Sequence, residues 1–175
     1  MGTKLTGADR KKTTLSEQAP SAEALELRAI LEDAGLASEV GFLMRLAQSM
    51  LLDFATPRLQ SLNLTPGQMT VLRVIRSRPG MTQQRIADAL RMQRANLTSL
   101  INELEAQGLV IRKMSPERRR AHALYLTPKG ERTVQRMLKI VFDDRSACIE
   151  RLEPEEKALL TRLLQKVVFE CGPAG

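Results

Sequence analysis

Residues 81–114 read MTQQRIADALRMQRANLTSLINELEAQGLVIRKM. Thr82 has the hydroxyl of an N-cap and predicts a short helix over Gln83–Leu90, with Ile86, Ala89 and Leu90 as its apolar positions. After a break at Arg91–Met92, a second helix is predicted over about Gln93–Gln107, closed by Gly108. Leu97, Leu100, Ile101 and Leu104 follow helical spacing and are expected to face inward. The opposite face then presents Ala95, Thr98, Ser99 and Asn102, flanked by Arg94 and Asn96. It is a face of small and hydrogen-bonding side chains without a carboxylate, compatible with a groove lined by phosphates. Beyond Gly108 the period falls to two. Leu109–Met114 and Ala121–Leu126 read as paired strands around a turn, Ser115–Arg120, that ends in three arginines.

Outward from this stretch, Thr65-Pro66-Gly67-Gln68 carries an N-cap, a proline at the first helical position and a capping-box residue, so a helix starts there. Its expected buried face is Met69, Leu72 and Ile75, and Pro79-Gly80 ends it. Upstream, residues 1–20 are polar and are expected to be a disordered tail. Ser21 caps a short helix ending near Gly35, and a longer one is predicted from about Ser38 to Leu62, kinked at Pro57. Downstream, Thr127-Pro128 opens a helix carrying Val134, Leu138, Val141, Phe142 and Ile149. A last helix follows Pro154, with Leu159, Leu160, Leu163, Leu164, Val167, Val168 and Cys171 in one broad apolar stripe. That stripe is wider than a helical hairpin requires, and a homodimer interface accounts for it. The expected fold is mainly α (α+β): a winged helix-turn-helix at 63–127 between dimerisation helices at 21–62 and 128–175.

Charge locates the function. The chain of 175 residues carries a net +7, unevenly spread. Residues 1–70 hold 7 Lys+Arg against 8 Asp+Glu, residues 71–139 hold 15 against 5, and residues 140–175 hold 5 against 7. A basic excess confined to one segment is the footprint of a polyanion partner. Tyr125 is the one aromatic in that segment, which disfavours base-stacking binders of single strands and favours double-stranded DNA. The other classes fall away. No apolar run is long enough to span a bilayer and no signal segment opens the chain, so a cytoplasmic protein without membrane association is expected. His122 is the single histidine, Cys148 and Cys171 stand apart, and no HExxH, GxGxxG or GxxxxGK[ST] occurs. Neither a metal site, nor a cofactor, nor an enzyme is expected.

From LTPGQMTVLRVI at Leu64 through the wing to YLTPKGE at Glu131, the order of motifs resembles the multiple antibiotic resistance regulator (MarR) family of bacterial transcription factors. The resemblance covers about two-fifths of the chain, to near Arg136. One position departs from it: where the family's wing has Asp-Arg-Arg, this chain has Arg118-Arg119-Arg120, with Glu117 one residue earlier. The resemblance implies a dimeric winged-helix repressor and a small effector, aromatic or anionic, that releases the DNA.

These readings name the candidate residues. In the predicted second helix, Gln93, Arg94, Ala95, Asn96, Thr98, Ser99 and Asn102 would face the major groove, where Arg and Asn suit bidentate base readout. Thr82, Gln83 and Gln84 would hold phosphates. Arg112, Arg118, Arg119 and Arg120 are the candidate wing contacts, the last two to the minor groove. Phe42, Met44, Arg45, Met69, Arg73 and Phe142 are the candidates for the effector. A sequence-tolerant architectural DNA-binding protein is the alternative reading.

Overall fold

The computed structural model describes residues 21–114, 122–143, 149 and 151–170. It forms two compact units, and the division falls between Arg45 and Leu46, inside a helix. In the first unit, α1 (Ala22–Asp33) begins where Ser21 Oγ accepts from the Ala24 amide at 3.2 Å. Gly35, at φ 72°, turns the chain into a short 3-10 segment, Leu36–Ser38, before α2. On α1 the Glu32 carboxylate pairs with Arg28 at 2.7 Å and raises the guanidinium above its ordinary range. Helix α2 (Val40–Gln60) runs on through Pro57 as one element.

The second unit holds the core. It contains α3 (Pro66–Ser77), α4 (Gln83–Leu90), α5 (Arg94–Ala106), β1 (Val110–Met114), β2 (His122–Leu126), α6 (Pro128–Asp143) and α7 (Pro154–Phe169). Thr65 and Gln68 form a reciprocal capping box at the start of α3, as the sequence predicts. Leu59, Leu72, Ile75, Ile86, Leu97, Ile101, Leu104, Leu124, Val134 and Met137 are fully enclosed together.

Two faces differ from expectation. On α3, Val71 and Gln68 are buried while Met69 is half-exposed. The helix is contacted by α5, α6 and β2, so its buried arc is wider than a single stripe. On α4, Ala87 is buried and Ala89 exposed, so the buried arc runs from Ile86 toward Ala87 and not toward the predicted Ala89.

The strands β1 and β2 are antiparallel, with Val110 opposite Leu126 and Met114 opposite His122. The chain before α4 extends this ribbon: the Gly80 amide donates to Leu124 O at 2.9 Å, and the Leu124 amide to Met81 O at 3.0 Å. The wing is thereby tied to the helix-turn-helix. Two glycines hold the junctions. Gly108, at φ 68°, closes α5 in the left-handed region. Gly130 lies so close to β1 that a Cβ there would stand 2.1 Å from the Leu109 carbonyl oxygen. Among the described residues, no helix is long and apolar enough to cross a membrane.

Candidate nucleic-acid interface

Helices α4 and α5 present the predicted face, and the structure sorts its residues into engaged and open ones. Thr82 Oγ1 caps α4 by accepting from the Arg85 amide at 3.4 Å. Gln83 Nε2 donates to Thr98 Oγ1 at 2.5 Å, joining α4 to α5, and that hydroxyl donates to Arg94 O at 2.7 Å. Gln84 Nε2 donates to Asp88 at 2.5 Å. Gln93 is the N-cap of α5 and makes no side-chain capping bond. Arg94, Ala95 and Asn96 follow in its exposed first turn, and no hydrogen bond or ion pair engages their side chains among the described residues. This turn combines free donors with the positive end of the helix, the arrangement that suits an anionic, base-bearing partner.

The rest of the α5 face is committed within the protein. Asn102 Oδ1 accepts from Arg112 Nη2 at 2.7 Å, and Arg112 Nη1 pairs with Glu105 at 2.5 Å. Ser99 Oγ donates to Glu103 Oε1 at 3.1 Å, so a carboxylate does stand beside this face, contrary to the helical-wheel expectation. Arg112 joins the wing to α5. Arg118, Arg119 and Arg120 lie outside the described residues.

Two further cations bear on the region. Lys113 on β1 is exposed, with its ammonium 5.2 Å from the Tyr125 ring centroid. Arg91, in the turn between α4 and α5, adopts φ 49° and donates to Val168 O at 3.3 Å near the end of α7. The 77-residue separation of that pair left no local signal in the sequence.

The effector candidates are divided between the units. Phe42, Met44 and Arg45 belong to the first, where the Arg45 guanidinium sits 4.8 Å from the Phe42 ring centroid. Met69 and Arg73 lie on α3 of the second, and the Phe142 side chain lies outside the described residues. A hollow of about 310 Å³ in the first unit is lined by residues including Leu27, Leu31 and Leu43. Another of about 360 Å³ in the second is lined by residues including Ile75, Pro79 and Tyr125. Its two charged lining residues, Arg76 and Glu131, pair with each other at 2.8 Å. None of the six candidates lines either hollow.

Two packed helices, a third bearing the open donor turn, and an antiparallel wing define a winged-helix regulator of transcription. A sequence model of the MarR family matches residues 62–121. A Thauera aromatica protein named for transcriptional regulation of the hcr operon is 31% identical over 138 residues, covering 78% of this chain and 83% of that protein. The transcriptional repressor CouR bound to a 23-mer DNA duplex superimposes with a TM-score of 0.71 at 31% identity, over 76% of this chain and 94% of CouR. CouR bound to p-coumaroyl-CoA gives 0.69 at 29% identity, over 77% and 94%. The chain belongs to the MarR family of transcriptional regulators.

Proposed function

We propose that this protein is a ligand-responsive repressor. It binds a pseudo-palindromic duplex operator as a homodimer and is released by a small effector, with an aromatic acid or its thioester as the first class to test. The observation that carries the reading is the exposed first turn of α5, where Arg94 and Asn96 stand open at a helix N-terminus. In the major groove these side chains read guanine and adenine edges, while Thr82, Gln83 and Gln84 hold phosphates from α4. Half-sites would then lie about 10 base pairs apart, centre to centre. Arg119 and Arg120 enter the neighbouring minor groove.

Support for dimerisation comes from α7. Leu159, Leu160, Leu163, Leu164, Val167 and Val168 are each between 37% and 49% exposed, an apolar row left uncovered among the described residues that a second subunit would cover. Support for the effector class comes from CouR, which was solved with p-coumaroyl-CoA. The candidate contacts remain Phe42, Met44, Arg45, Met69, Arg73 and Phe142.

The test is fluorescence anisotropy with the protein's own upstream intergenic DNA against a scrambled duplex, at two salt concentrations. The expected result is a preference of about a thousandfold that persists at the higher salt and collapses on adding an aromatic acid or thioester. Equal affinity for both duplexes, vanishing with salt, would support an architectural DNA-binding role instead.

A further inference from the structure

Gln68 is the one buried polar side chain of the second unit's core among the described residues, only 2% exposed. A buried amide must find partners for both its ends, and this one does so on two different elements. Its Oε1 accepts from the Thr65 amide at 2.9 Å and completes the cap of its own helix. Its Nε2 donates to Glu103 Oε2 at 2.8 Å, across 35 residues, on α5. The other oxygen of Glu103 accepts from Ser99 Oγ at 3.1 Å. An unbroken hydrogen-bonded chain therefore runs from the N-terminus of α3 to a hydroxyl on the face assigned to DNA. Around it the two helices approach closely: a Cβ on Gly67 would stand 3.3 Å from Leu100 Cδ1.

We propose that Gln68 is a positioning residue which, through Glu103, sets the seating of α5 and the orientation of the Ser99 hydroxyl, so that the placement of α3 governs how the helix reads DNA. This rests on the reading of α5 as the groove helix. Capping alone does not require a glutamine here, because glutamate serves the same position in a capping box. What an ionised glutamate cannot do is donate to Glu103. Gln68 is thus selected by the partner on α5 rather than by its own helix.

That distinction supplies the test. Gln68→Glu keeps the cap and sets two carboxylates against each other. Gln68→Glu with Glu103→Gln restores every link and reverses only the one between the helices: the new amide on α5 donates back to α3 and still accepts from Ser99. Thr65→Ala is the control that removes the cap hydroxyl and leaves the Gln68–Glu103 bond. Two measurements are made on the full chain: the affinity ratio for upstream over scrambled duplex, and amide hydrogen exchange without DNA.

The expected result is a loss of about tenfold or more in the ratio for Gln68→Glu, with exchange in α5 faster by a similar factor. The double variant returns both to within about threefold of wild type, and Thr65→Ala speeds exchange in α3 while leaving the ratio unchanged. Should Gln68→Glu fold too poorly to assay, the double variant with Glu103→Ala, which opens the link from the exposed side, gives the same comparison. Failure of the double variant to recover α5 protection, or a Gln68→Glu protein that discriminates DNA like wild type, would overturn the proposal. If the wild type itself does not discriminate, the groove reading fails, and exchange in α5 still decides whether Gln68 seats that helix.

Discussion

The Arg112 guanidinium on β1 pairs with the Glu105 carboxylate on α5 at 2.5 Å and also donates to Asn102 at 2.7 Å. A cation that sequence reading assigns to DNA therefore also holds the wing against α5, the helix proposed to enter the groove. Both side chains of the pair are partly exposed, at 25% and 33%, so the link contributes on the order of 1 kcal/mol rather than the several of a buried pair.

Arg112→Ala should lower operator affinity without changing the slope of log affinity against log salt, since no phosphate contact is lost. Replacing Arg119 and Arg120 by Ala should reduce that slope by about 0.9 for each phosphate contact removed. Salt titrations of the two variants side by side make the comparison. A slope reduced equally in both would return Arg112 to the DNA contacts.

Arg94→Ala and Asn96→Ala should leave the free energy of unfolding within about 0.5 kcal/mol of wild type, because both are exposed and unengaged among the described residues. Each should cost about 1–3 kcal/mol in binding, concentrated at one base pair of each half-site. Affinities for single-substituted duplexes measure it. A loss spread evenly over all sequences would mark a phosphate contact instead.

Gly130→Ala should destabilise the protein by at least ~1–3 kcal/mol, because the obstacle 2.1 Å away is the Leu109 backbone carbonyl and not a side chain free to swing. Gly41→Ala, also helical but with nothing within 4 Å, should be neutral or stabilise by up to about 1 kcal/mol. Urea unfolding of the two variants tests the contrast, and equal effects would remove the close-approach argument.

Leu160→Glu with Leu164→Glu should convert a dimer into monomer in sedimentation, while helical content measured by circular dichroism is retained. Both positions are already 43% and 37% exposed within one chain, so the charges disturb a subunit contact rather than the core. An unchanged sedimentation coefficient would place the interface elsewhere.

The sequence by itself determined the elements and their order, because caps and periodicities are local. Thr65-Pro66-Gly67-Gln68 starts α3, Gly108 ends α5, and alternation after it makes the wing. Leu97, Ile101 and Leu104 were legible as core from their spacing alone. Only the tertiary structure decided which polar residues of α5 are available. A helical period tells inward from outward, but not what stands alongside. Thr98, Ser99 and Asn102 all fall on the outward face, yet Gln83, Glu103 and Arg112 engage them. Glu103 in turn is held by Gln68 from another helix. Two of these partners arrive from other elements brought near by folding, and the third points where a neighbouring helix directs it. Arg94 and Asn96, at the helix start, stay open: both are exposed, and no hydrogen bond or ion pair engages their side chains among the described residues.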